Sequence, residues 1–222
     1  MAVLGIQCRA KCTLAISFDN AYEATMTREM SLQKSEIAMQ SITLQSKWAN
    51  RFVIAAIIQG ALAAALTSYL LYQGVWGFPA ASRIVAGGGA GTWLTVGYLV
   101  YIVLGPIATA VTALFYQHLE AHLHKLYTGL TNILAWIHLV LMNVGVVGGT
   151  WLMMNAGYRG GAAAMSVAQG GLGWSGANAG LVHSEIMVFY PPYIAVFIAI
   201  ALVGAIAGGL GYVIAWRRTL KP

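Results

Sequence analysis

The chain has 222 residues, of which 59% are hydrophobic and only 8% are charged, whereas soluble domains carry about 25% charged residues. This composition excludes an ordinary water-soluble domain and an intrinsically disordered chain, and it indicates a protein that is solvated by a lipid bilayer. Twelve Lys and Arg against six Asp and Glu give a net charge of +6, but the cations flank apolar runs and form no patch for nucleic acid.

Residues 1–50 are predicted to be a polar N-terminal segment. Its two cysteines, Cys8 and Cys12, have no second pair beside them, so they predict neither a zinc site nor a disulfide framework. Apolar positions between residues 32 and 48 fall approximately on one helical face, which is compatible with an interfacial helix. Met26 and Met30 leave a later start of translation open.

Four apolar runs without Lys, Arg, Asp or Glu follow, and each reaches the roughly 20 residues that a helix needs to cross the hydrocarbon core. Because backbone groups must be satisfied inside lipid, these runs predict helices. We predict an all-α integral membrane bundle of four transmembrane helices over residues 51–217, followed by a short cytoplasmic tail at 218–222. The predicted spans are 52–72, 92–116, 131–154 and 193–216.

The distribution of Lys and Arg predicts the orientation of the bundle in the cell membrane. Most of the cations that flank the spans fall on one side, and the positive-inside bias therefore places both termini in the cytoplasm. The inner cations are Lys47, Arg51, Lys125, Arg217, Arg218 and Lys221, and the outer ones are Arg83 and Arg159. Tryptophans near the span ends are expected to be interfacial anchors, namely Trp48 and Trp216 inside and Trp76, Trp93, Trp151 and Trp174 outside.

Prolines and glycines predict the irregular parts of the bundle. Pro106 should kink the second span, and Pro191 and Pro192 should begin the fourth, where the first helical N–H groups have no internal acceptor. The glycine-rich outer loop at 157–180 is nearly uncharged. We expect it to lie against another subunit or the bilayer through Met165, Leu172 and Trp174.

Small residues recur at helical spacing in three spans. Such stripes let helix backbones approach closely, which matters because lipid supplies no hydrophobic force between helices. Packing inside the bundle explains most of them, and we expect at least one stripe to be left for a neighbouring protein. The stripes are Ala56, Gly60 and Ala64 in the first span, Gly145 and Gly149 in the third, and Gly204, Gly208 and Gly211 in the fourth.

The densest titratable group is His118, Glu120, His122, His124 and Lys125, at the inner end of the second span. His118 and His122 are four residues apart and would share a helix face, a spacing at which two imidazoles can hold one transition metal. Glu120 would point elsewhere on a regular helix. A solvated interface is the simpler interpretation, because such a pair by itself is a weak metal signal.

Two other histidines, His138 and His183, lie apart from this group. His138 lies inside the third span, so its imidazole should face protein, either in a hydrogen bond to a neighbouring helix or as a haem or metal ligand. His183, Glu185 and Met187 could bind copper on the outer side, but no further Cys or His completes the set. We predict no catalytic residue, no cofactor-binding residue and no metal ligand in the chain.

Residues 105–161 resemble the late transmembrane helices of subunit I of haem-copper terminal oxidases. In that family a helix ends in an aromatic-and-His segment, a short loop carries a Thr-Gly pair and a Tyr, and the next helix opens with Ile-His. With a few residues inserted in the loop, the resemblance extends over about 92–216. The matching pieces are Tyr116 to His118, Tyr127 to Gly129, Ile137 with His138, Leu141 with Met142, and Gly145.

The departures from this family have a functional implication. The family's haem-ligating His-x-His pair corresponds here to Gly97 and Leu99, which cannot bind iron, and the copper-binding His-Pro-Glu-type helix is missing. The position that matches His138 is not a metal ligand in the family. The resemblance therefore implies a non-catalytic accessory subunit of a respiratory terminal oxidase, without a cofactor of its own, whose partners are other integral membrane subunits and lipids.

Two alternatives stay open. The chain could be an accessory subunit of another membrane metalloenzyme, such as a copper-dependent monooxygenase. It could also be a small b-type cytochrome that uses His138 together with a histidine from a partner or from residues 118–124. The haem and copper content of the assembly that holds the chain would separate these functions.

Overall fold

The computed structural model of the chain describes residues 25–37 and 46–217. The cysteines Cys8 and Cys12, the predicted tail at 218–222 and part of the predicted interfacial helix, residues 38–45, lie outside these described residues. The chain divides into two compact units at residues 45 and 46. In the first unit, residues 25–37 form helix α1, and all of its side chains are exposed.

The described part of the second unit, residues 46–217, is helical and contains no β-strand. Four of its helical segments are long and apolar enough to cross a membrane, which confirms the prediction of a multi-pass helical protein. Which end faces the cytoplasm stays a prediction. The helices are α2 (Lys47–Trp76), α3 (Ala81–Ala86), α4 (Thr92–Ile102), α5 (Ala108–Gln117), α6 (Leu130–Ala164), α7 (Ala179–Leu181) and α8 (Tyr190–Arg217).

Helices α2 and α6 are the first and third spans. The second span, Gly89–His122, contains α4 and α5, and the fourth, Gly176–Arg217, contains α7 and α8. A π-helical turn, Val103–Ile107, joins α4 to α5 and holds Pro106. Proline lacks an N–H and crowds the preceding turn, so the helical ladder is interrupted there. The irregularity predicted at Pro106 is thus accommodated by a wider turn. Pro191 and Pro192 lie in the first turn of α8, as predicted.

The third span is longer than predicted because helix α6 continues to Ala164. Gly157 and Gly161, which the sequence predicts to lie in the outer loop, are helical and buried. A Cβ on Gly157 would collide with the backbone of Leu94, and one on Gly161 would lie 3.0 Å from the Cα of Gly91. This part of the glycine-rich sequence is therefore a packing face between the second and third spans.

The rest of the outer loop folds back on its own bundle, and its expected contact with another subunit or the bilayer stays a prediction. The Trp174 N–H donates to the carbonyl of Ala163 at 3.0 Å, and the indole packs against the buried cluster that includes Val182. Met165 packs against a second buried cluster. Leu172 alone of the three loop side chains stays exposed, at 57%.

Within residues 46–217, the third and fourth spans form the most extensive helix pair. Gly145 and Gly204 lie at their contact. A Cβ on Gly145 would be 2.6 Å from the Phe197 carbonyl oxygen, and one on Gly204 would be 2.6 Å from the Met142 nitrogen. Because only glycine permits backbones to come this close, these stripes are used inside the bundle. The second span packs against both the first and the third.

Candidate functional site

The histidine-rich end of the second span is a π-helical turn, His118–His122, in which the Leu123 N–H donates to the His118 carbonyl at 3.1 Å. The imidazoles of His118 and His122 stack with centroids 5.6 Å apart, and both are exposed. Glu120, between them, is only 2% exposed. The sequence placed the two histidines together, but it did not reveal that Glu120 points into the protein.

Glu120 caps the N-terminus of the first span. Its Oε2 accepts hydrogen bonds from the backbone N–H groups of Trp48 at 3.0 Å and Ala49 at 3.3 Å, and its Oε1 lies 3.2 Å from the same Trp48 nitrogen. Ser46, the residue at the cap position, makes no capping bond with its own side chain. A carboxylate is favourable at this place because the first N–H groups of a helix lack internal acceptors and carry partial positive charge. This contact ties the second span to the first.

Trp48 is 1% exposed, which corrects its prediction as an interfacial anchor. Its indole N–H donates to Asn132 Oδ1 at 3.2 Å, and its ring meets Trp136 edge-on at 5.2 Å. The guanidinium carbon of Arg51 lies 4.5 Å from the centroids of both Trp48 and Trp136. The cation is therefore held by two aromatic rings, and its Nη1 is buried without a hydrogen-bond partner.

His138 is 8% exposed, which confirms that it faces protein. Its Nδ1 is 3.1 Å from the Tyr116 hydroxyl, and its Nε2 is 3.2 Å from Met142 Sδ. The ring also packs on Phe52, with centroids 5.1 Å apart, and against the backbone at Gly208, where a Cβ would collide with it. Both nitrogens are therefore engaged inside the bundle, and the hydrogen bond to a neighbouring helix is the arrangement present.

Tyr127 completes the aromatic cluster of Phe52, Tyr116 and His138. Its ring lies 4.9 Å from that of Tyr116, which stacks in turn on Phe52 at 4.6 Å. The Tyr127 hydroxyl is buried without a hydrogen-bond partner. Burial, and then the neighbouring Tyr116, Glu120 and Tyr212, raise the pKa of Tyr127 well above its ordinary value, so the phenol stays neutral.

A second polar contact joins the first, second and third spans, and the sequence did not predict it. Gln59 Nε2 donates to Asn143 Oδ1 at 2.9 Å, and the Tyr101 hydroxyl donates to Gln59 Oε1 at 2.7 Å. Gln59 is 4% exposed. Its signal in the sequence is a lone amide in an otherwise apolar run, because polar groups in lipid need a partner.

The remaining sequence candidates do not come together. His183 and Glu185 are exposed at the other end of the bundle, whereas Met187 is buried among the side chains of Ala156 and Val182. Within residues 25–37 and 46–217, no group of three or more His, Cys, Asp or Glu is placed to hold a metal ion.

The positions that the oxidase resemblance equates with haem ligands have other surroundings. Gly97 is buried, and a Cβ there would lie 2.9 Å from the nitrogen of Met154 in the third span. Leu99 is 55% exposed, as is typical of a side chain that faces lipid. One position therefore permits close helix packing and the other contributes to the apolar surface of the bundle.

Comparisons of the chain with protein-family models, with curated proteins and with solved structures found no match. The resemblance of residues 105–161 to oxidase subunit I therefore stays a prediction that rests on the residues quoted for it. Within the chain, Glu120, Trp48, Arg51 and His138 join three helices at one end of the bundle.

Proposed function

We propose that this chain is a non-catalytic subunit of a hetero-oligomeric membrane complex, and that it uses the first span to bind a partner helix. The observation that carries this proposal is the uncovered small-residue stripe of α2. A Cβ on Gly60 would touch nothing within 4 Å, and Ala64, one turn further on, is exposed. The corresponding stripes of the third and fourth spans are buried where these two spans pack against each other.

The burial of the spans supports the same assignment. In the most apolar 18 residues of the first span, only 11% are buried, whereas 28% are buried in the corresponding part of the third and fourth spans. A helix in lipid needs close packing to associate with its neighbours, and small residues at one face allow a backbone to approach. The face around Gly60 therefore offers a partner helix the kind of contact that Gly145 and Gly204 provide inside the chain.

The histidines support the non-catalytic part of the proposal. The buried imidazole of His138 has both ring nitrogens close to other side chains, and the paired imidazoles of His118 and His122 are exposed at the bundle end. Following the sequence resemblance, we propose a respiratory terminal oxidase of the haem-copper type as the host complex. A host with another metal content, such as a copper-dependent monooxygenase, is the alternative.

Affinity purification from native membranes in a mild detergent tests this proposal. We expect the wild-type chain to retain integral membrane partners with haem and copper, and Gly60→Leu to lose most of them. Gly209→Leu is the matched control, because a Cβ there also touches nothing within 4 Å but lies on the fourth span. A copper-only assembly would replace the oxidase as host, and a partner-free wild-type chain would contradict the proposal.

A further inference from the structure

Arg51 is a cation whose Nη1 lacks a hydrogen-bonding partner. It lies in the second turn of α2, and both Trp48 and Trp136 hold its guanidinium by their rings. The aromatic faces attract the positive charge, but they provide no oxygen acceptor for the five N–H groups of the guanidinium. Its Nη1 is buried and unpaired. Because arginine stays charged, this position calls for an acceptor with negative charge.

The nearby carboxylate of Glu120 attracts Arg51 through its charge but accepts no hydrogen bond from its Nη1. Both of its oxygens lie within hydrogen-bond distance of backbone N–H groups of the first span, at Trp48 and Ala49. Lys47, four residues before Arg51, lies on the same side of α2 and is exposed. Arg51 and Lys47 carry two positive charges beside the one negative charge of Glu120, so these three groups keep a net positive charge that favours an anion.

A groove leads away from Arg51 along the bundle. It has a volume of about 400 Å³ and lies between the first and third spans, where side chains rather than close backbones make the contact. It reaches Gln59, eight residues further along α2, a distance of about 12 Å along the helix axis. Its lining includes Ile54, Ile58, Leu139 and Asn143.

The length and chemistry of the groove match the headgroup phosphate and the adjoining acyl chain of a lipid. The groove extends about 12 Å along the helix axis, which is close to the roughly 15 Å that one leaflet contributes to the hydrocarbon core. Ile54 and Ile58 are exposed at 58% and 56%, so the groove opens toward the surrounding lipid. The planar guanidinium of Arg51 lies at one end of the groove. It is suited to a phosphate, which can accept two parallel hydrogen bonds from it.

We propose that this groove binds one anionic phospholipid, with the phosphate on Arg51 and an acyl chain between the first and third spans. The site does not depend on the proposed subunit function. The positive-inside prediction places it in the cytoplasmic leaflet, where anionic lipids concentrate. Arg51 lines the groove and is only half-buried, so the accessible part of its guanidinium donates to the phosphate, and Lys47 adds selectivity for a net negative headgroup.

Native mass spectrometry of the full-length chain in mild detergent tests the proposal, with equimolar dioleoyl phosphatidylglycerol and dioleoyl phosphatidylcholine as probes. We expect one bound phosphatidylglycerol, preferred by about tenfold, and a loss of that binding by about tenfold or more in Arg51→Gln. Arg217→Gln, which removes an exposed cation from the same end of the bundle, should bind like the wild type.

Ala55→Phe provides a second variant that leaves Arg51 intact, because Ala55 lines the groove and a phenyl ring would fill it. We expect it to lose both probe lipids while keeping the elution volume and helical content of the wild type. Equal binding of the two lipids by the wild type, or undiminished phosphatidylglycerol binding by a folded Arg51→Gln, overturns the proposal. A polypeptide retained in place of the lipid, and lost in Ala55→Phe, overturns it as well.

Discussion

The third and fourth spans are joined by close backbone packing, whereas the first span is attached by side chains, some of them polar and some aromatic, such as Phe52. Gly145 and Gly204 bring two backbones together, but the first span is held by Glu120 at its N-terminus and by Gln59 with Asn143 further along. Backbone packing needs a small residue at every contact and leaves no free space. Attachment through side chains leaves the backbones further apart, so a groove and an unused small-residue face remain on the first span.

The largest effect should come from Gly145→Leu, which removes the backbone approach of the third and fourth spans. A side chain at this position meets the backbone atoms of Phe197 and Ala201, which cannot move aside as a flexible side chain would. We expect a loss of about 3 kcal/mol in unfolding free energy. Thermal unfolding in mild detergent measures it, and Gly209→Leu should change little. Equal stability of the two variants would show that the contact is not close in solution.

Glu120→Ala should produce the next largest effect, because it leaves the buried N–H groups of Trp48 and Ala49 without an acceptor. We expect a loss of about 2 kcal/mol, on the scale of a charged hydrogen bond or a helix cap. Glu120→Gln keeps the shape and an acceptor oxygen, and should lose about half as much. Exposed His122→Ala is the control. If Glu120→Ala unfolds like the control, the carboxylate does not hold the first span.

His138→Ala tests whether the buried histidine belongs to the packing or to a cofactor. Loss of the contacts with Tyr116 and Met142 and the resulting cavity should cost about 1 to 2 kcal/mol. The absorbance spectrum of the isolated chain should be the same before and after the substitution. A Soret band in the wild type that disappears in His138→Ala would favour the b-type cytochrome instead.

Tyr127→Phe should have the smallest effect near neutral pH, because it removes a buried hydroxyl that has no partner. We expect a change between zero and about 1 kcal/mol of added stability. The raised pKa of Tyr127 means that its neutral form is favoured by folding. Stability should therefore be intact below about pH 10 and fall above it in the wild type, and fall less in Tyr127→Phe. Alkaline unfolding curves that coincide would contradict this.

The helices could be predicted from the sequence, whereas the site could only be outlined. Uncharged apolar runs predicted the four spans, and a membrane-embedded imidazole predicted that His138 faces protein. Glu120 points away from the His118 and His122 face, as predicted, but its burial could not be predicted because the N–H groups that it caps, at Trp48 and Ala49, lie far away in the chain. Trp48 was misplaced because burial depends on neighbours such as Asn132, far away in the chain.

The sequence by itself determined that this chain has membrane-spanning helices and where prolines begin or interrupt them. These properties depend on local hydropathy and on backbone donors within one segment. Only the tertiary structure decided which small-residue stripe stays uncovered, what Glu120 caps and why Arg51 faces a groove. Each of these depends on the rotation of one helix against another, which is set by side chains that meet from distant parts of the chain.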